Sequence, residues 1–152
     1  MSEDRIEIEA LLYRYCEVVD LARIDDVVAL FTADGTVDYG NGRLVQGATE
    51  LGKFFADRVG SYTATSHHSS NVAITFGDSP DAATATSSIY AWHQQPDGNQ
   101  IEIWGRYLDD IVRDPDGWRL QTRKIRAAGW RGFSIPEGTP APFEKINRET
   151  LR

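Results

Sequence analysis

The hydrophobic positions follow a helical rhythm up to Gly60 and an alternating one after it. Ile8, Leu11, Leu12, Tyr15, Val18 and Val19 recur at three- and four-residue intervals. They predict a first amphipathic helix that ends at Asp20, with Asp4 and Glu7 as a capping pair at its start. A short second helix is expected over 25–31 on Val27, Val28 and Leu30, closed by the turn formers Ala33-Asp34-Gly35. Thr36 to Tyr39 reads as a strand and Gly40-Asn41-Gly42 as a hairpin turn. Leu51, Phe54, Phe55 and Val59 give a third helix over 49–59.

Beyond Gly60 four long strands are expected, over 65–77, 82–95, 99–113 and 117–131. They are joined by Asp78-Ser79-Pro80-Asp81, Pro96-Asp97-Gly98 and Pro115-Asp116-Gly117. Connections this short make antiparallel neighbours. Helices followed by a long meander imply an α+β fold. A sheet of this length must bury a face, and three helices can cover it only if it curls around them. The expected architecture is a cone-shaped α+β barrel, with N-terminal helices packed in a curved, mixed or antiparallel sheet. Its hollow is the default ligand site. Residues 1–152 read as one domain. Within it, 132–152 forms an extended tail, rich in proline, that covers an opening and ends in a short helical piece.

Composition narrows the partners. The chain has 152 residues, 41% of them hydrophobic, enough for one core. Its formal net charge of -7 repels phosphate backbones, so nucleic acid is an unexpected partner. No apolar run reaches the ~20 residues that span a bilayer. The acidic start MSEDRIEIEA lacks the basic and apolar regions of a signal peptide, which points to the cytoplasm and away from membranes. Cys16 is the single cysteine and reads as a small core residue. On the strand over 99–113 both faces are partly apolar, with Ile101, Ile103, Tyr107 and Ile111 on one and Trp104, Leu108 and Val112 on the other. This predicts a homo-oligomer.

The candidate chemistry lies in polar residues at otherwise apolar places. Tyr13, Cys16 and Asp20 share one side of the first helix. A carboxylate there is either a partly buried functional group or an exposed helix end. His67 and His68 are adjacent on a strand and point to opposite faces. Parity places His68 in step with Val72, Ile74 and Phe76, hence inward, unless a bulge in Ser69-Ser70-Asn71 reverses the register. His93 is the third histidine. One of the paired histidines with His93 and Asp20 would make a two-histidine, one-carboxylate metal set. No HxH or HxxxH spacing supports a metal, and an acid–base site without one is the stronger reading. Tyr39 alone reads as a rim aromatic with its hydroxyl in water.

Three segments together carry a resemblance: RYCEVVDLARIDDVVALFTADGTVDYG, SHHSSNVAI and YLDDIVRDPDGWRLQTRKI. With their order along the chain, they resemble the SnoaL-like branch of the nuclear-transport-factor-2-like (NTF2-like) superfamily, over nearly the whole chain up to Trp130. Within it, the pattern is similar to scytalone dehydratase and to the hexachlorocyclohexane dehydrochlorinase type. That resemblance implies an Asp–His catalytic pair at Asp20 and His67, in place of the His68 that parity favours. It also implies that His93 and Tyr39 line the pocket. Val19 stands where the dehydratase has a tyrosine immediately before its aspartate, which leaves Tyr13 or Tyr15 to stand in for it.

The function implied is a cofactor-independent, dehydratase-like lyase acting on a small cyclic or polyketide-like substrate by His/Asp acid–base catalysis. No metal or other cofactor is called for, because side chains can reach every proton that moves. The same pocket would also serve an isomerase or cyclase, or a non-catalytic binding or assembly module. The family assembles as dimers and trimers.

Overall fold

The computed structural model describes residues 2–149. Its elements are α1 (Ser2–Asp20), α2 (Ile24–Ala29), β1 (Phe31–Asp38), β2 (Leu44–Gln46), α3 (Ala48–Gly60), β3 (Ala64–Phe76), β4 (Ala82–Gln94), β5 (Gln100–Asp114) and β6 (Gly117–Arg131). They form a cone-shaped α+β fold around a curved six-stranded sheet, in the order β2-β1-β6-β5-β4-β3. The sheet does not close: β2 and β3 are its edges. The meander β3–β6 is antiparallel as the short turns predict, and only β1 and β6 run parallel.

The six apolar positions of the first helix are all buried, and Ile8, Leu12 and Val18 have no exposed surface. This stripe enters the concave side of the sheet, where it meets Ala83, Ala85, Ile89 and Ala91 of β4 and Ile103, Tyr107 and Ile111 of β5. The helix α1 packs closely on β3. Asp4 is the third residue of the helix, not the residue before it. It lies within the first turn, where it binds Arg113 and accepts from Trp118 Nε1 at 3.4 Å.

The second helix is shorter than expected. It stops at Ala29, and the chain enters β1 at Phe31 because Phe31 pairs with Leu120 of β6. Ala33-Asp34-Gly35 makes a tight excursion inside that strand: five steps from Phe31 to Thr36 match two on β6. Gly35 is required there, since a Cβ would stand 2.9 Å from Phe31 Cβ and 3.0 Å from the Thr32 carbonyl. The Gly40-Asn41-Gly42 hairpin forms with all three residues at positive φ and leads into β2.

The tail folds back onto β6 and the end of β1. Glu144 N–H donates to the Tyr39 carbonyl at 3.1 Å, and Ala127 N–H donates to the Glu144 carbonyl at 2.9 Å. This strap runs parallel to β6 where β1 has ended, and it buries Phe143. Among the described residues the tail has no helix; the expected final helical piece falls partly on 150–152, outside them. No helix among the described residues is long and apolar enough to cross a membrane.

Candidate active site

A bulge in β3 decides which histidine enters the cone. Ser70 faces Ser88 and Ala73 faces Thr86, so β3 carries one residue more than β4 between these pairs. Asn71 absorbs it at φ 52°, a left-handed conformation that asparagine tolerates better than most residues. Val72, Ile74 and Phe76 point inward after the bulge, whereas Thr65, His67 and Ser69 point inward before it. The parity expectation for His68 is therefore overturned. His68 is exposed on the outer face, 2.9 Å from Ser66 Oγ and stacked on Tyr90.

Asp20, at the last residue of α1, meets His67 across the gap between helix and strand. Asp20 Oδ1 lies 2.7 Å from His67 Nδ1 and accepts from Thr65 Oγ1 at 2.8 Å. Asp20 Oδ2 accepts from the His67 backbone N–H, also at 2.8 Å. Burial pushes the Asp20 carboxyl up, but the bonds from the His67 ring and backbone and from Thr65 outweigh it and hold the group below the usual carboxylate range. Asp20 is thus an anion at neutral pH. A carboxylate can only accept, so Nδ1 carries a proton in this contact.

The His67 ring faces a cavity of about 70 Å³ inside the cone. The His67 side chain is 11% exposed and that of Asp20 25%, so the pair is sheltered without being sealed. His93 of β4 lines the same cavity, its ring perpendicular to His67 at 5.1 Å and 4.6 Å from Tyr62. Burial first, and the neighbouring His67 second, lower its pKa to about 4. Among the described residues its Nδ1 has no hydrogen-bond partner.

Tyr39 is a wall of the cavity and not a free rim residue. It packs between Phe54 and Phe143 at 5.4 and 5.5 Å, and burial raises its phenol pKa. Tyr15 also lines the cavity, whereas Tyr13 is 47% exposed. Of the two phenols left to stand in at Val19, only Tyr15 is placed to do so. The strap adds Phe133 and Phe143 to the lining, as a covering tail would. Among the described residues no cluster of three His, Cys, Asp or Glu side chains is placed to hold a metal ion.

Several residues of the site escaped the sequence reading. Thr65 shares the face of His67 two residues earlier and was within reach of parity once the bulge was placed. Arg58 and Tyr62 close the end of α3 and line the cavity, and no periodic signal distinguishes them from solvated helix-end residues. Beneath the cavity lies a fully buried ion pair, Arg123 with Asp109, joined by two bonds of 2.8 Å. Asp109 shares the inward parity of Tyr107 and Ile111, so its burial was legible. Arg123 was not, because a second bulge in β6 between Leu120 and Thr122 shifts it inward.

Comparison with known proteins agrees with this architecture. The family model for the SnoaL-like domain matches residues 1–124. An uncharacterised protein of Mycobacterium tuberculosis H37Rv is 30% identical over 125 residues, covering 79% of this chain and 82% of that one. Among solved structures, a provisionally assigned scytalone dehydratase from Novosphingobium aromaticivorans superposes with a TM-score of 0.84 at 23% identity, over 97% of this chain and 99% of the other. A type 2 hexachlorocyclohexane dehydrochlorinase gives 0.77 at 15% identity, over 91% and 100%. At these identities the two structures establish the fold.

Proposed function

The chain belongs to the SnoaL-like family, and from that premise we propose that it is a cofactor-independent, dehydratase-like lyase for a small cyclic or polyketide-like substrate. The observation that carries the proposal is the 2.7 Å contact between Asp20 Oδ1 and His67 Nδ1 at a residue that lines the cavity. The dehydratase and dehydrochlorinase among its structural neighbours support the same reaction class.

The chemistry is an elimination beside a carbonyl. His67 Nε2 takes the proton from the carbon next to the carbonyl. The electron pair left behind becomes the new C=C bond as the C–O bond to the leaving hydroxyl breaks. Asp20 stabilises the imidazolium formed in between. The imidazolium then returns its proton to the departing hydroxyl, water leaves, and His67 is neutral again. Tyr39 donates to the enolate oxygen while charge resides there. His93 is neutral at working pH, so it holds the leaving hydroxyl by a hydrogen bond and does not supply the proton as an acid.

The outer face of the sheet supports a homo-oligomer. Tyr90 and Trp104 pair across β4 and β5 and are 38% and 40% exposed.

The test is turnover of a panel of small cyclic β-hydroxyketones in deuterated water, read by product mass. A lyase removes one water from the substrate; an isomerase exchanges hydrogen and keeps the formula. Asp20→Asn and His67→Ala should each lower the rate by ~10²–10⁴-fold while circular dichroism stays unchanged. Wild-type rates in both variants would end the acid–base assignment.

A further inference from the structure

The cavity wall holds a permanent positive charge and no negative one. Arg58, in the last turn of α3, lines the cavity, as does Tyr62 just beyond the helix. Among the described residues no Asp or Glu lines it. The Asp20 carboxylate behind His67 is already engaged by three donors.

Arg58 keeps its donors within reach. It is half-buried, and its guanidinium carbon stands 5.7 Å from the Tyr39 ring centroid and 5.6 Å from that of Phe54. Cation–π attraction to the two rings holds the group in place. Among the described residues its N–H groups meet no carboxylate and no carbonyl, and none of them is sealed off. Arg43 differs. It also stands over the Tyr39 ring, at 5.9 Å, but it does not line the cavity, and its Nε and Nη2 are sealed from solvent. The Arg58 charge is felt across the site. It adds to burial and to His67 in pushing the His93 pKa down, and it opposes the burial that raises the Tyr39 phenol. An arginine that only laid its stem on apolar rings would turn its head to bulk water. This one stands in the wall of an aromatic cavity.

We propose that Arg58 recognises an anionic group of the substrate, which makes the substrate of this site a small carboxylate built on an aromatic or conjugated ring. This rests on the lyase reading for what happens at the other end of the molecule. A planar guanidinium fork matches a planar carboxylate better than any other common anion of a small organic acid. The rings of Tyr15, Tyr39, Phe55, Tyr62 and Tyr107, which share the lining, suit a flat carbon skeleton. From His67 the wall passes to His93, ring to ring at 5.1 Å, and from His93 to Tyr62 at 4.6 Å, at the end of α3 that bears Arg58. A molecule with its carboxylate on Arg58 therefore lays its body along these rings toward His67. The carboxylate is a handle for recognition and takes no part in the bonds that break. A protein of net charge -7 repels such a molecule elsewhere, and Arg58 supplies the local attraction.

The experiment titrates the full-length chain with benzoate and with benzamide, its neutral analogue of the same shape, and follows amide shifts by NMR. Benzoate should bind at least about tenfold more tightly, the size of one charge-assisted hydrogen bond, with its largest shifts along the cavity wall. Arg58→Gln should bring the two affinities within about twofold of each other. Arg43→Gln removes a cation from the same aromatic cluster but outside the cavity, and should keep the preference. Should Arg58→Gln lose its dispersed spectrum, Arg58→Lys keeps the charge without the fork and should retain only part of the preference. Equal affinities in the wild type, a preference that survives Arg58→Gln, or an equal loss in Arg43→Gln would each overturn the proposal. It fails separately from the lyase reading. Full turnover in Asp20→Asn and His67→Ala removes the lyase assignment and leaves the carboxylate site standing. An absent benzoate preference removes the carboxylate site and leaves the lyase assignment standing.

Discussion

Two contacts between a carboxylate and a nitrogen side chain, Arg123 with Asp109 and His67 with Asp20, differ in how far they are closed off. Arg123 and Asp109 are both fully buried, joined fork to fork, with the guanidinium carbon 4.1 Å from the ring centroids of both Tyr15 and Tyr107. Burial works against the Arg123 charge, yet the adjacent Asp109 carboxylate overcomes it and drives the arginine further toward its charged form. Burial outweighs the arginine at Asp109 and raises its carboxyl pKa, and neither side chain has any exposed surface. Asp20 and His67 have a comparable contact distance, but one partner is an imidazole that lines the cavity. A pair can take part in chemistry only when one member reaches a surface that a ligand can touch. Without that reach it is scaffold.

The largest expected effect tests the scaffold pair. Asp109→Asn leaves a buried guanidinium without its counter-charge and should cost about 3–5 kcal/mol in urea unfolding. The double replacement Asp109→Leu with Arg123→Met removes both charges and should cost far less. Equal losses would mean that the pair contributes by its packing alone. Asp20→Asn, in contrast, should have a smaller effect on stability than on rate.

The next effect is on pH. His93 is neutral in the folded protein down to a pKa of about 4, against 6.5 for a free histidine. The unfolded chain therefore takes up a proton that the folded one refuses. Stability should be unaffected by His93 above about pH 6.5 and fall as the pH drops from there to about 4, by up to about 3 kcal/mol. Asp20 acts in a lower window. Its depressed carboxyl stabilises the fold above 3.8 and loses that contribution as the pH falls further, through its folded pKa. Unfolding curves across pH 3–8 should show the upper phase disappear in His93→Asn; an unchanged upper phase would assign it elsewhere.

The smallest effect sharpens the functional pair. Thr65→Val deletes one of three donors to Asp20 and should cost about 1 kcal/mol of stability. On the proposed lyase chemistry its kinetic signature should be a lower kcat at unchanged KM, since Thr65 donates to the carboxylate that holds His67. A change confined to KM would instead place Thr65 at the substrate.

Local pattern alone was enough for α1, α3 and the meander, but it put Phe31 in the second helix, started the first strand at Thr36 instead of Phe31, and named no strand for Leu44–Gln46. The antiparallel strand limits agree with the alternation within one residue, because short turns leave a meander little freedom of register. The buried stripe of α1 and the inward parity of His93 and Asp109 were equally legible, since each follows from the period of an uninterrupted helix or strand. The resemblance of three segments added Asp20 with His67, against the parity of β3.

Tertiary structure decided what lies beyond a break in period. The bulge at Asn71 turns His67 inward and His68 outward, and the bulge after Leu120 buries Arg123; each inserts one residue and inverts every face beyond it. Whether a bulge forms depends on the partner strand, so no single strand announces it. The pairing of Asp20 with His67 across 47 residues, and the return of Phe143 onto Tyr39, arise from how α1 and the tail pack on the sheet. The sequence by itself determined which residues were available for chemistry. Packing determined which of them meet, because contacts between elements depend on registers and crossings that local pattern does not encode.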